Sequence, residues 1–295
     1  MTIGWYPGHM HKARKDITQA LQQVDAVLEL VDARLPYSSE NPMLNKIIGD
    51  KPRLRIMNKA DLADPLVSNL WLAHYRALGL DCLLFDKEDE QAQRQILARL
   101  APRMKPVATR PNRIMIVGIP NVGKSTLINL LAQRKIAKVG NEPAVTKARQ
   151  EIRLSDNLVL FDTPGILWPK LDDQAAAYRL AISGAIRNTA IELGDVGLAA
   201  VTFLQQRYPH VLMERYQLQP EGEPLQLLER IGRSRGCLVR GGVDLTKAGE
   251  VVLNDLRTGK LGPLSLETPS DIPLPALDAG QAPDIRRGPH DAVPL

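Results

Sequence analysis

Gly118-Ile-Pro-Asn-Val-Gly-Lys124-Ser125 fills every fixed position of G-x-x-x-x-G-K-[ST], between the apolar run Arg113–Val117 and a helical stretch, Lys124–Ala132. A strand turning through glycines into a helix is the context this motif needs. Amides of such a loop surround phosphates, and the helix N-terminus adds positive potential. Lys124 is then expected to reach the β/γ-phosphates and the Ser125 hydroxyl to ligate Mg²⁺, while Val122, Gly123 and Thr126 complete the nucleotide contacts. A chain built around this unit is an α/β protein, with a mostly parallel sheet flanked by helices.

Two further motifs stand at the ends of apolar runs. Asp162-Thr-Pro-Gly165 follows Leu158–Phe161 and lies 44 positions after Gly118. Its Asp is placed to hold Mg²⁺, and Gly165 has no side chain to keep its amide from a γ-phosphate. Asn58-Lys59-Ala60-Asp61 follows Leu54–Met57. A carboxylate at Asp61 accepts from guanine N1–H and the exocyclic amine together. Adenine offers no such pair and would leave that carboxylate desolvated and unpartnered. The order is unusual: in ordinary GTPases the phosphate loop precedes N-K-x-D, whereas here Asn58 comes 60 positions before Gly118. A circular permutation explains it, since sheet order in space survives a change of termini.

The rest of the chain is consistent with a covered parallel sheet. Strands are expected at Ala26–Val31, Leu54–Met57, Cys82–Phe85, Arg113–Val117 and Leu158–Phe161, and helices at His9–Gln23, Ser68–Leu78, Glu90–Met104 and Lys124–Ala132. From Gln174 to Lys260 no strand is evident, and Leu225–Ile231 and Lys247–Leu256 have helical spacing. The division expected is a GTPase domain at 1–173 with a basic N-terminal helix, a smaller helical domain at 174–260, and a flexible tail at 261–295 holding seven of the 22 prolines. Cys82 and Cys237 fit neither a disulfide scaffold nor a zinc site. No apolar run approaches the roughly 18 residues that cross a bilayer, and the N-terminus lacks the apolar core of a signal peptide. A soluble cytoplasmic protein with no membrane partner is expected.

Charge points to a polyanion. The net charge of +5 is unevenly spread, because residues 261–295 hold two arginines against five acids and are locally −3, which leaves +8 on residues 1–260. Residues 225–260 hold seven Lys/Arg against four acids, with Arg230, Arg233, Arg235 and Arg240 close together, and Lys12, Arg14 and Lys15 form a second basic run. A solvated helix face and an RNA-phosphate contact are both compatible with this pattern.

Together these residues resemble the RbgA/YlqF family of circularly permuted ribosome-assembly GTPases. The resemblance runs over residues 1 to about 262. It rests on Trp5-Tyr-Pro-Gly-His9-Met10, Val31-Asp32-Ala33-Arg34, Asn58–Asp61, Gly118–Thr126, Asp162-Thr-Pro-Gly-Ile-Leu-Trp-Pro169, Arg235-Gly-Cys-Leu and Gly241-Gly242. It implies GTP hydrolysis to GDP and phosphate on a maturing large ribosomal subunit, with docking on rRNA in the GTP state, release on hydrolysis, and a monomer off the ribosome. It also implies that Thr146 of Pro143-Ala144-Val145-Thr146 ligates Mg²⁺, although the family's Gly is Ala144 here. The guanine-supporting loop is expected near Asp86 and Lys87, and Asn121 resembles K⁺ ligands of K⁺-stimulated GTPases. Ile166 stands where many GTPases carry a water-positioning Gln, so the resemblance assigns that task to His9, whose neutral imidazole accepts from water. Two rival readings stand beside this one. A small-subunit assembly GTPase would carry an appended OB domain or zinc module, for which strands and cysteines are missing. A signalling GTPase would have a protein partner and no RNA.

Overall fold

The computed structural model describes residues 18–272, apart from 42–43, 45–46, 90, 106, 108, 137–149 and 163–172. Six strands form one sheet: β1 (Ala26–Asp32), β2 (Arg53–Asn58), β3 (Cys82–Phe85), β4 (Asn112–Gly118), β5 (Gln150–Ser155) and β6 (Leu158–Asp162). Their order in space is β3-β2-β1-β4-β6-β5, all parallel except β5, which runs antiparallel to β6 at the edge. This is the mostly parallel sheet anticipated. The phosphate-loop strand β4 and the Asn58 strand β2 are separated only by β1, so the permuted motif order leaves the motifs close in space.

Alternation decides what each face buries. In β1, Ala26, Leu28 and Leu30 join one core cluster, whereas Val27 and Val31 face the other side. In β4, Ile114 and Ile116 go with the first set and Met115 and Val117 with the second. Both faces are covered, as parallel sheets require. Helices α1 (Pro65–Ala77), α2 (Ala92–Leu100) and α3 (Lys124–Ala132) lie close to the expected spans. Helix α1 starts earlier than Ser68, because Asp64 caps it through the Leu66 and Val67 amides at 2.8 and 3.3 Å and Pro65 takes the first helical position. Helix α2 is shorter than expected and passes into a 3-10 turn at Ala101–Arg103, where Pro102 stands. Of the expected helix His9–Gln23, the described residues 18–22 are helical.

The second half is built from α4 (Gln174–Ser183), α5 (Leu193–Arg207), α6 (Pro209–Tyr216), α7 (Pro224–Ser234) and α8 (Leu245–Arg257). Helix α7 buries Leu227, Leu228 and Ile231, and α8 buries Ala248, Val252, Leu253 and Leu256, each at helical spacing along one face. One apolar cluster runs from Leu28 and Ile116 in the sheet through Leu180 and Ala181 of α4 to Leu256. The expectation of no strand here needs correction. Leu238–Val239 (β7) and Gly242–Val243 (β8) pair antiparallel, a hairpin too short to leave a period in the sequence.

The expected tail also starts later than residue 261. Leu261, Leu264 and Leu266 are buried, and the Leu264 and Leu266 amides donate to Leu62 O at 3.0 Å and Arg34 O at 2.6 Å. Trp71 Nε1 donates to Glu267 O at 3.2 Å. Residues 261–272 are thus a strap against the sheet domain, held by apolar positions that the proline count obscured. Residues 273–295 lie outside the described residues.

Candidate nucleotide-binding site

The strand registers bring the motifs to one edge. Asp32 of β1 pairs with Asn58 of β2, Asn58 with Phe85 of β3, Leu30 with Gly118 of β4, and Ile116 with Asp162 of β6. From β1 the chain passes to β2 on one side, while β4 lies on the other. The carboxyl edge between β1 and β4 is therefore a topological switch point, the place where open α/β sheets bind ligands.

The phosphate loop joins β4 to α3 with Asn121 at φ 57° and Gly123 at φ 102°. Gly123 cannot be replaced without movement, since a Cβ there would lie 2.0 Å from Asn58 Nδ2. That close approach makes the main bond of the site: Asn58 Nδ2 donates to Val122 O at 2.5 Å, tying the guanine motif to the phosphate loop. Lys124 is buried, and its Nζ donates to the Gly118 and Ile119 carbonyls at 3.1 and 2.8 Å. Ser125 and Thr126 are half-buried in the first turn of α3. Asn121 Nδ2 donates to Gly184 O at 2.9 Å, just beyond α4.

On the guanine side, Lys59 has a left-handed backbone (φ 62°) and precedes the 3-10 turn Ala60–Leu62, which presents Asp61 exposed at the edge. Lys59 Nζ donates to Asp32 Oδ2 at 3.0 Å. Arg34 grips the same carboxylate with Nε to Oδ1 at 2.9 Å and Nη2 to Oδ2 at 2.8 Å. Burial works against ionisation of Asp32, but the Arg34 and Lys59 charges outweigh it and hold the carboxyl well below its ordinary value. Burial lowers the Lys59 ammonium, an effect that Asp32 only partly offsets. Asp86 and Lys87 follow β3 at the same edge. Asp86 accepts from the Glu88 amide at 3.0 Å, closing a turn, and Lys87 is exposed.

Of the sequence-derived site, Asn58, Lys59, Asp61, Asp86, Lys87, Asn121, Val122, Gly123, Lys124, Ser125 and Thr126 thus come to one edge. Asp162 ends β6 there by its backbone register. His9, Thr146 and Gly165 lie outside the described residues. Sequence reasoning gave Asp32 and Arg34 no role of their own; an acid and an arginine two positions apart at the end of a mostly apolar strand were the available signal. Glu267 was missed outright. It is buried, and it accepts from the Tyr37 and Ser38 amides at 2.6 and 2.9 Å, from the Ser38 hydroxyl, and from Arg179 Nη1 at 3.3 Å. Burial pushes its carboxyl up, against the lowering by those donors. Nothing local in the sequence marks a contact spanning 230 positions.

Comparison with known proteins agrees with this geometry. Residues 113–216 match a family model described as 50S ribosome-binding GTPase. A ribosome biogenesis GTPase A of Priestia megaterium is 46% identical over 287 residues, covering 93% of this chain and 100% of that protein. A probable ribosome biogenesis GTPase A of Mycoplasma pneumoniae is 32% identical, with 90% and 96% covered. The crystal structure of GNP-bound YlqF from T. maritima superposes with a TM-score of 0.65 at 26% identity, over 88% of this chain and 100% of that one. Shared sequence over nearly the whole length, together with the permuted order of motifs around one sheet edge, places the chain in the ribosome biogenesis GTPase A family.

Proposed function

We propose that the chain binds GTP across the β1/β4 edge, hydrolyses it, and acts as an assembly factor for the large ribosomal subunit. The observation that carries the nucleotide part is the Asn58–Val122 hydrogen bond, which joins the base-reading and phosphate-holding segments into one site. In this reading Asp61 accepts from the guanine edge, loop amides and Lys124 hold the β/γ-phosphates, and Asp86 and Lys87 border the base. Gly165 donates its amide to the γ-phosphate. The Lys124 ammonium, now on loop carbonyls, exchanges those partners for phosphate oxygens.

The donor set suits Mg²⁺. A hydroxyl at Ser125, with Thr146 and Asp162, offers hard oxygen ligands and no sulfur or imidazole. When bound, the ion neutralises charge on the phosphate oxygens. K⁺ at Asn121 would supply a further fixed charge. His9 orients the attacking water by accepting its proton in a hydrogen bond, a task Ile166 cannot perform.

The matched description of residues 113–216 and the family's membership support the large subunit as partner. Residues 174–260 form the rRNA-facing part in this reading, with Arg230, Arg233 and Arg240 exposed on α7 and the β7–β8 hairpin. Arg235 is also exposed but stacks over the Tyr216 ring at 5.5 Å, so it serves packing as well. The factor is a cytoplasmic monomer off the ribosome, docks on rRNA with GTP, and leaves after hydrolysis. No helix among the described residues is long and apolar enough to cross a membrane. Co-sedimentation with isolated subunits tests the assignment. Retention on large subunits with a non-hydrolysable GTP analogue, and loss with GDP, is the expected result; equal retention on small subunits would overturn it.

A further inference from the structure

The C-terminal turn of α4 is held from three directions. Carbonyls at a helix C-terminus lack intrahelical partners and form the negative end of the helix dipole, so cationic donors suit them best. Arg257, the last residue of α8, donates through Nε to Ile182 O at 2.9 Å and through Nη2 to Ala181 O at 2.7 Å. Its Nη1 donates to Asn188 Oδ1 at 3.0 Å. Arg34 Nη2 reaches Ser183 O at 3.4 Å while holding Asp32. Asn121 of the phosphate loop takes Gly184 O at 2.9 Å. Four successive carbonyls are thus shared among the end of the helical region, the Asp32–Lys59 network and the phosphate loop.

The fit around Arg257 is close. Gly184 adopts φ +85°, and a Cβ there would lie 3.1 Å from Arg257 Nε, so the guanidinium packs against a bare Cα. Burial lowers the Arg257 pKa to about 10, and the neighbouring Arg34 charge adds to the fall. The group is still charged at neutral pH, and the carbonyls it holds are the groups that compensate its desolvation.

We propose that Arg257 is a positioning residue for the phosphate loop: through the α4 C-terminal turn it fixes the Gly184 carbonyl on which Asn121 rests, so that movement of α8 is felt at the nucleotide. This rests on the assignment of the loop as the GTP site. Coupling of this kind is reciprocal: a nucleotide that shifts Asn121 alters how firmly α8 is held, and a ligand of α8 alters nucleotide affinity.

A double-mutant cycle in the full chain tests it. Arg257→Gln should lower kcat/KM for GTP roughly 5- to 20-fold, the lower part of the range for coupled sites. In an Asn121→Ala background the same change should cost less than about twofold, because the route through Gly184 is already broken. Arg257→Lys, which keeps the cation but not the fork, should recover part of the loss and carries the same cycle if the Gln variant does not fold. Equal losses in both backgrounds, or a lowered melting temperature with kcat/KM unchanged, would overturn the proposal. Absence of GTP turnover by the wild-type chain would instead overturn the assignment of the site.

Discussion

Gly123→Ala measures how tightly the guanine motif and the phosphate loop are joined. The added methyl meets two obstacles. At φ 102° an alanine leaves its allowed regions, which costs about 1–2 kcal/mol on the scale for left-handed backbone. Its Cβ would also stand 2.0 Å from Asn58 Nδ2, so Asn58 must swing away and abandon Val122 O. Asn58 is 5% exposed, and a buried group left without its partner costs roughly 1–3 kcal/mol. The two together predict a loss of about 2–5 kcal/mol. In an Asn58→Ala background the second contribution is already gone, and the same glycine change should cost only the backbone part, about 1–2 kcal/mol. Urea unfolding of the four nucleotide-free proteins reads this directly from their midpoints and slopes. Equal losses in the two backgrounds would refute the contact, and a neutral Gly123→Ala would refute the backbone assignment as well.

Asp61→Asn should weaken GTP binding and improve binding of xanthosine triphosphate, read by competition titration; an unchanged preference would remove Asp61 from base recognition. The Asp32 carboxyl, held below its ordinary value of 3.8, stabilises the fold above that pH and loses the contribution as pH falls below it. Urea midpoints should therefore drop on acidification below about pH 4, and Asp32→Asn should flatten that limb, at the expense of stability near neutrality. Reversal of the exposed Arg233 and Arg240 to Glu should weaken binding to large subunits several-fold and reduce its salt dependence, with GTP affinity unchanged. Retained affinity for subunits would move the rRNA contact elsewhere.

Much of the site was legible because its chemistry is local. Gly118–Ser125 and Asn58–Asp61 each need one short run of fixed residue types, and each follows an apolar strand whose period is easily seen. The permutation was legible too, as a matter of order along the chain. Strand β5 was not: in Gln150–Ser155 the buried Ile152 alternates with polar residues over too few positions, as suits an edge strand. Other features depend on distant partners. Glu29 sits mid-strand at 1% exposure because Arg55 Nε holds it at 2.9 Å from the neighbouring strand, and a lone acid in an apolar run does not announce its cation. The strap at 261–272 was hidden for a similar reason. Its leucines have no helical or strand period, and their partners at Arg34 and Leu62 lie some 200 positions away. The grip of Arg257 on α4 belongs to the same class, since only tertiary structure brings a helix end to a phosphate loop.

A guanine-nucleotide site answering to one ribosomal subunit is tested in both parts at once by the rate of GTP hydrolysis with purified subunits. In K⁺ and Mg²⁺ buffer, a slow basal rate should rise at least tenfold on addition of large subunits, stay near basal with small subunits, and vanish in Lys124→Ala under either condition. A rate that responds equally to both subunits, or to neither, would contradict the account.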